Sequence, residues 1–501
     1  MIVNVRRNLV ANLLGQGWSA AINLVAVPIY LKLLGPENFG LIGFATVILV
    51  LAYLLDGGLG NTLNRSMVHF RAGSLSAQAA SDLLRSGEAA IWGAAMLIGA
   101  IAFGLSSHLA HWLIDARQLP DTAVAQALTL SIVIALMRVT EGIYRSALLG
   151  LDGAISVNVL SVAGATLRGL GPLPFVLHSR GGILTYFSVQ LIVSTVSLFA
   201  FAGLTHIRLE GTPFGRGGIR LDPLRSVFRF AGDAFVVSSL IAVANQADKL
   251  LAARLTSLER FGYYSAAAIV ATGIYQLVVP VFMSFYPKLS LLHATRKQGE
   301  FERLFLKLAV VVGFIAGVPT AVIIANSQDV VFAWTGNVVT ATRTSPLLFW
   351  LCFGTWANGL FYIALAPLLA SARHRIAVVT TGVLLLTLLP LLLLGWLEAD
   401  LVGIAAAWSA AMVVWSLLTL ALTGRAVTGS PFLAKLFAAS LSPFLLALLC
   451  SYAIRNLAPH PAVQSQAFEA VSVLLNATLI GTITAGALWT ASFAISGSSK
   501  T

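Results

Sequence analysis

Long apolar segments recur along the whole chain and are separated by short polar connections. A membrane-spanning helix needs about 20 mostly apolar residues, and the sequence contains fourteen such segments. They cover approximately residues 9–34, 39–62, 88–107, 122–149, 154–177, 183–204, 230–253, 263–286, 304–327, 346–371, 376–397, 401–423, 436–455 and 467–496. The pattern predicts an all-α integral membrane protein with about fourteen transmembrane helices. The weakest boundary is the one between the eleventh and twelfth segments, at 398–400.

The composition indicates that the solvent of this chain is lipid. Hydrophobic residues make up 58% of the 501 residues and charged residues only 10%, whereas about a quarter of a typical soluble domain is charged. Because so few charges cannot cover a surface that faces water, a soluble enzyme is excluded. The two cysteines, Cys352 and Cys450, lie inside apolar segments and lack the spacing of a disulfide framework or a zinc site.

Basic residues are distributed unevenly between alternate connections. The chain has 31 Lys and Arg residues against 19 Asp and Glu, a net charge of +12. With the N-terminus inside, 21 of the basic residues fall inside, 7 outside and 3 within the segments. This bias follows the positive-inside rule. It predicts that both termini are cytoplasmic, and it explains the positive charge without a nucleic-acid partner.

The longest polar connection, about 205–229, separates two sets of six segments. Five positions recur across it at one constant offset: Asn23, Lys32, Glu37, Phe39 and Gly40 with Asn245, Arg254, Glu259, Phe261 and Gly262. An even number of helices separates the copies, so they share an orientation and predict a parallel repeat. We therefore expect an N-lobe over 1–207, a basic cytoplasmic linker over 208–229, a C-lobe over 230–424, and two final helices with a tail over 425–501.

The beginning of the chain carries a recognisable motif. The segment from Pro28 to Gly40 has the sequence Pro-Ile-Tyr-Leu-Lys-Leu-Leu-Gly-Pro-Glu-Asn-Phe-Gly, and Leu-Leu-Asp-Gly-Gly-Leu-Gly follows at 54–60, then Asn64-Arg65. This motif, together with the layout of six, six and two spans, resembles the polysaccharide flippases. They are the polysaccharide-transport branch of the multidrug/oligosaccharidyl-lipid/polysaccharide (MOP) exporter superfamily.

The resemblance implies a function. It implies two pseudo-symmetric six-helix lobes facing each other across a cavity. Such a protein exports undecaprenyl-diphosphate-linked oligosaccharide from the inner to the outer leaflet of the bacterial plasma membrane by alternating access. The resemblance implies a transporter that is not an enzyme and needs no cofactor. A proton and Na+ are both compatible coupling ions, and the resemblance does not decide between them. Other polysaccharide assembly proteins are compatible partners. O-antigen, capsule and exopolysaccharide units are equally compatible substrates.

The first helix departs from one group of relatives. Flippases of the peptidoglycan precursor line their cavity partly with arginines from this helix, but here no basic residue lies between Arg7 and Lys32. The peptidoglycan substrate is therefore less expected. A drug or cation exporter of the same superfamily would be expected to have twelve spans and an acid in the first helix. A polysaccharide polymerase or ligase would need a large outside loop, and all the outside connections of this chain are short.

Polar side chains inside the spans are the candidate site residues. Asn12, Gln16 and Asn23 share one face of the first helix, and Asn245 and Lys249 share a face of the seventh. Such a stripe either lines a wet cavity that binds sugar hydroxyls or bonds to a neighbouring helix.

Four charged residues in the fourth and fifth spans form a second candidate. Arg138, Glu141 and Arg145 share one face of the fourth span, where Glu141 can pair with either arginine. Arg168 lies in the fifth span, before a Gly- and Pro-rich stretch that predicts a broken helix. A charge in the membrane is by default a functional candidate. The alternative is that Arg168 snorkels or pairs with a carboxylate of another helix.

The roles follow from these patterns. Asp56 is a candidate proton or cation site, a helix cap, or a gate partner of Arg65. We predict substrate binding by Arg138, Arg168, Lys249, Asn12, Gln16, Asn23 and Asn245. We predict coupling or gating by Asp56, Arg65, Glu141, Arg145 and Asp248. No catalytic residue and no metal site are predicted.

Overall fold

A computed structural model describes residues 5–178, 182–211, 217–220, 239–373, 375–428, 431–457 and 466–497. In these ranges all regular secondary structure is helical, which confirms the predicted all-α class. Contacts divide the chain into two compact units, Met1–Gly262 and Tyr263–Thr501. The predicted lobe boundaries, 1–207 and 230–424, stay predictions.

The first helices of the chain include one sharp break. The elements are α1 (Val5–Ala52), a 3-10 turn (Tyr53–Asp56), α2 (Leu59–Arg71), α3 (Ala77–Leu113), α4 (Asp121–Gly150), α5 (Ala154–Leu170), α6 (Pro172–His178), α7 (Gly182–Glu210) and α8 (Ala247–Leu255). Within α1 the backbone leaves the helix at Gly35, with φ +81°. Glycine has no Cβ and adopts this conformation at little cost. The break lies at the predicted boundary between the first and second spans.

The remaining helices include a second break. They are α9 (Leu258–Ala294), α10 (Gln298–Ala325), α11 (Ser327–Thr335), α12 (Val338–Ala370), α13 (Arg375–Val427), α14 (Pro431–Leu457) and α15 (Gln466–Gly497). Within α13 the backbone is non-helical at Ala399 and Asp400. This is the short connection predicted between the eleventh and twelfth spans.

The observed helices account for the predicted number of spans. In the described part of the chain, eleven helical segments are long and apolar enough to cross a membrane. Two of them, Gly15–Asp56 and Arg375–Val427, contain the breaks and so hold two predicted spans each. The predicted seventh span, 230–253, begins outside the described residues; 239–244 and α8 are helical. The fold is therefore that of a multi-pass membrane protein with about fourteen spans.

The core of the first unit fixes the position of α4. Helices α2, α3, α4 and α7 pack through a buried apolar cluster that includes Leu63, Met67, Leu84, Ile143 and Phe201. The Asn64 side chain donates from Nδ2 to the Ser146 carbonyl at 3.0 Å. At Gly150 the backbones of α2 and α4 come so close that a Cβ would collide with the carbonyl of Asn64. The charged face of α4 is therefore held on a rigid support.

The repeated motif makes a reciprocal contact. A Cβ at Gly40 would collide with the Leu258 carbonyl, and a Cβ at Gly262 would collide with the Pro36 carbonyl. The offset of the repeat relates Pro36 to Leu258 and Gly40 to Gly262. Each copy of the motif thus touches the other through equivalent positions, as a two-fold axis requires. The repeat of two six-helix lobes itself stays a prediction.

Candidate functional site

A buried ion pair joins α4 and α5. Arg168 Nη1 lies 3.6 Å from Glu141 Oε2, and only 13% and 10% of the two side chains are exposed. Helical spacing allows Arg138 or Arg145 as the partner of Glu141, but the structure shows the alternative stated for Arg168, a pair with a carboxylate of another helix. A distance of 3.6 Å is too long for a hydrogen bond. In the described structure Arg168 Nη1 and Glu141 Oε2 are both buried without a hydrogen-bond partner.

The surroundings of this pair are positively charged. Arg138 and Arg145 lie on the same face of α4 as Glu141, and both act electrostatically on the Arg168 guanidinium. Arg138 is half-buried and Arg145 is exposed. Neither forms an ion pair within the described ranges. Three arginines and one carboxylate therefore leave an excess of positive charge, which favours an anionic ligand.

The break after α5 is stabilised by two side-chain donors. Pro172 has no N–H, so the Arg168 carbonyl lacks its helical donor. Gln190 of α7 donates to this carbonyl from Nε2 at 2.7 Å, and the Tyr30 hydroxyl of α1 donates to the Gly169 carbonyl at 2.9 Å. The predicted break is confirmed. Sequence reasoning missed Gln190 and Tyr30, although a proline four positions after Arg168 signals an unpaired carbonyl.

Two glycines of α5 allow close packing around Arg168. A Cβ at Gly164 would lie 2.8 Å from Arg168 Nη2, so the guanidinium folds over this glycine. A Cβ at Gly169 would collide with the Ile22 side chain, because α1 and α5 pack closely there. Helices α1, α4, α5 and α7 thus hold the arginine in place.

The polar stripe of α1 is only partly described. Gln16 and Asn23 are exposed. Asn12 lies in α1, but its side chain falls outside the described residues. The stripe stays a predicted sugar-binding face.

The predicted residues of the seventh span form a local cluster. Lys249 Nζ donates to the Asn245 carbonyl at 3.0 Å and to Asp248 Oδ1 at 3.1 Å. The Asp248 side chain is fully buried and the Lys249 side chain is 17% exposed. The structure therefore pairs a predicted binding residue with a predicted gating residue.

Asp56 contacts the backbone at the start of α2. Its Oδ1 accepts the Gly60 N–H at 2.9 Å, in the first turn of α2, so it caps this donor from two residues before the N-cap position, Gly58. Arg65 lies on α2 with its side chain exposed. Of the three hypotheses for Asp56, the cap is the one with an observed contact.

A buried contact between Glu88 and His206 was not predicted from the sequence. Glu88 of α3 is 5% exposed and His206 of α7 is 4% exposed. Glu88 Oε1 lies 2.6 Å from His206 Nε2, and Arg85 Nη1 donates to Glu88 Oε2 at 2.8 Å. The predicted sixth span ended before His206, whereas α7 extends to Glu210. Because the partners are 118 residues apart in the sequence, no local pattern could have found this contact.

Part of the predicted linker binds the first unit. Asp82 is 3% exposed and accepts the Gly218 N–H at 2.7 Å, while Arg220 Nε lies 3.0 Å from its other oxygen. The Arg220 N–H also donates to Ser86 Oγ at 2.8 Å. We call residues 217–220 with Asp82 and Ser86 the linker clamp. It fastens the described part of the linker to α3.

The sequence matches a known family over more than half of its length. The family is described as polysaccharide biosynthesis protein and the match covers residues 5–293. The chain belongs to the polysaccharide biosynthesis protein family. This confirms the resemblance inferred from the motif at the beginning of the chain. No curated protein sequence matches this family member.

Solved structures share the fold of this polysaccharide biosynthesis protein. The lipid II flippase MurJ in an inward closed conformation superposes with a TM-score of 0.73 at 13% identity, over 97% of this chain and 99% of that chain. An inward-facing multidrug resistance MATE family transporter of the MOP superfamily gives 0.63 at 13% identity, over 87% and 96%. The MATE multidrug transporter DinF-BH in complex with R6G gives 0.60 at 16% identity, over 84% and 94%. At these identities the likeness establishes the fold alone.

Proposed function

We propose that this member of the polysaccharide biosynthesis protein family is a flippase. It moves undecaprenyl-diphosphate-linked oligosaccharide from the inner to the outer leaflet of the bacterial plasma membrane by alternating access, with both termini in the cytoplasm. The observation that carries the proposal is the buried, positively charged surroundings of Arg168, whose Nη1 has no hydrogen-bond acceptor among the described residues.

A diphosphate fits this arrangement. A guanidinium presents a planar fork of N–H donors that matches phosphate oxygens and keeps its charge when desolvated. A buried donor without an acceptor costs free energy, and a phosphate oxygen would supply that acceptor. Because Glu141 contacts Arg168 only electrostatically, at 3.6 Å, an incoming anion replaces no direct hydrogen bond. Arg138 supplies further positive charge on the same face of α4.

The sugars need different partners. Saccharide hydroxyls both donate and accept hydrogen bonds, as do the amides of Gln16 and Asn23. Both amides are exposed on α1. In this proposal the arginines hold the diphosphate and the amides contact the glycan, with the identity of the glycan and of the coupling ion left open.

A drug or cation exporter is the second candidate, because MATE transporters share the fold. A cationic substrate would need a carboxylate with an excess of negative charge. Here Glu141 is surrounded by Arg138, Arg145 and Arg168, and no acidic residue precedes Glu37 in the chain. The charge balance therefore favours an anionic substrate. A polymerase or ligase is less supported still.

A charge swap tests the proposal. In the double variant Glu141→Arg/Arg168→Glu the buried pair is restored with its polarity reversed, whereas Arg168→Lys keeps the charge and loses the fork. We expect both proteins to reach normal membrane abundance and to export the lipid-linked glycan poorly. Export is measured as surface glycan per protein in a host that lacks the gene, and the glycan that accumulates there identifies the substrate.

The control is a matched arginine. Arg208→Lys changes an exposed side chain whose observed contact is with Ser156, and it should leave export unchanged. Normal export by the swapped variant would show that the pair is purely structural and would contradict the proposal.

A further inference from the structure

A shallow, open cavity of about 300 Å³ lies between the adjoining ends of α9 and α10. It is lined by Leu292 of α9 and by Glu300, Arg303, Leu304 and Lys307 of α10. The four α10 residues are spaced i, i+3, i+4 and i+7, which places them on one face. Both helices are long and apolar enough to span a membrane, so the cavity sits at the end of two membrane-spanning segments.

The cavity combines two cations with an apolar wall. Arg303 and Lys307 are exposed and lie one helical turn apart, and Leu292 and Leu304 are partly exposed beside them. Glu300 is the acidic lining residue, and its Oε1 lies 3.1 Å from Lys297 Nζ. The charge of this carboxylate is therefore offset, which leaves Arg303 and Lys307 to attract an anion.

Basic residues at a helix end often reflect topology alone and need no ligand. The two leucines beside these basic residues indicate a ligand with an apolar part. A free inorganic anion gains nothing from apolar walls, whereas a phospholipid brings a phosphate and the first carbons of its acyl chains to the same depth. Basic pockets between transmembrane helices bind anionic headgroups in this way.

We propose that this cavity binds the headgroup of an anionic phospholipid. Arg303 and Lys307 contact the phosphate oxygens, and Leu292 and Leu304 contact the glycerol-proximal part of the acyl chains. The site is distinct from the surroundings of Arg168, and the proposal does not depend on the proposed transport function.

Binding of a short-chain phospholipid tests the site. The full-length protein in neutral detergent is titrated with dihexanoyl phosphatidylglycerol, and bound lipid is counted by native mass spectrometry. Each basic residue near an anionic headgroup contributes about 1 kcal/mol, so Arg303→Ala/Lys307→Ala should weaken binding about 25-fold. Glu300→Gln should tighten binding, because it removes the carboxylate from the cavity.

A matched double variant controls for total charge. Arg425→Ala/Lys435→Ala removes two exposed basic residues outside the cavity and should change binding less than about twofold, within the range expected of non-specific surface charge. If Arg303→Ala/Lys307→Ala does not fold, Arg303→Gln removes one charge at similar size and should weaken binding about fivefold.

Three outcomes would overturn the proposal. Equal losses in the two double variants would mean that binding follows surface charge alone. Inorganic phosphate binding as tightly as the lipid would remove the role of the leucines. Undecaprenyl diphosphate binding in preference to phosphatidylglycerol would replace the proposed occupant.

Discussion

The helix break beside Arg168 gives a sharp test of how the site is built. Tyr30→Phe removes only the hydroxyl that donates to the Gly169 carbonyl. The ring stays the same size, so its edge-to-face contact with Tyr186, at 5.0 Å between centroids, is kept. Because Tyr30 is 3% exposed, water cannot replace the lost donor. The variant therefore isolates one buried hydrogen bond.

The expected loss of stability follows from the number of hydrogen-bond donors that each variant removes. A side-chain hydrogen bond inside a membrane protein contributes about 0.6 kcal/mol on average and at most about 1.7 kcal/mol. A buried carbonyl left without a donor costs more than this average, so Tyr30→Phe should lower the free energy of unfolding by about 1 kcal/mol. Gln190→Leu loses two bonds, to the Arg168 carbonyl and to the Tyr186 hydroxyl, and should cost about 2 kcal/mol.

The assay is unfolding of the purified protein in mixed micelles with a rising fraction of sodium dodecyl sulfate, followed by tryptophan fluorescence. Tyr452→Phe is the matched control, because this tyrosine is 44% exposed and its hydroxyl can be replaced by solvent or lipid headgroups. An unfolding curve for Tyr30→Phe that coincides with those of the unmodified protein and of Tyr452→Phe would refute the assigned stabilisation of the break.

Two further predictions concern the linker clamp and a strained turn. Asp82→Ala removes the acceptor of the Gly218 N–H and should make trypsin cleavage after Arg220 several-fold faster. The control Asp152→Asn changes an exposed ion pair and should leave the cleavage rate unchanged. Equal cleavage rates in the two variants would argue against the clamp. Ala372 has φ +55°, so Ala372→Gly should raise the free energy of unfolding by about 0.5 kcal/mol. Ala366→Gly, inside α12, should lower the free energy of unfolding by about 1 kcal/mol. A lower free energy of unfolding in both glycine variants would contradict the strain argument.

Local patterns in the sequence were sufficient for the helical class, the span number and the positions of the breaks. In lipid each span must satisfy its own backbone hydrogen bonds, so a long apolar run predicts a helix without knowledge of its neighbours. The breaks at Gly35 and Pro172 are equally local, because one residue tolerates a positive φ and the other lacks an N–H. The shared face of Arg138, Glu141 and Arg145 also follows from helical spacing alone.

The pairing of these groups was decided by tertiary structure. Glu141 contacts Arg168 on the next helix and not the arginines of its own face, because a long side chain reaches across a helix interface as easily as along one turn. Glu88 and His206, and Asp82 and the linker, are joined across distant parts of the sequence. Helical periodicity states which residues share a face of one helix. It carries no information on which helix packs against that face. This choice depends on tertiary packing such as that at Gly150, where the α2 backbone approaches only because no Cβ intervenes, and at Gly169, where the Ile22 side chain of α1 takes the place of a Cβ.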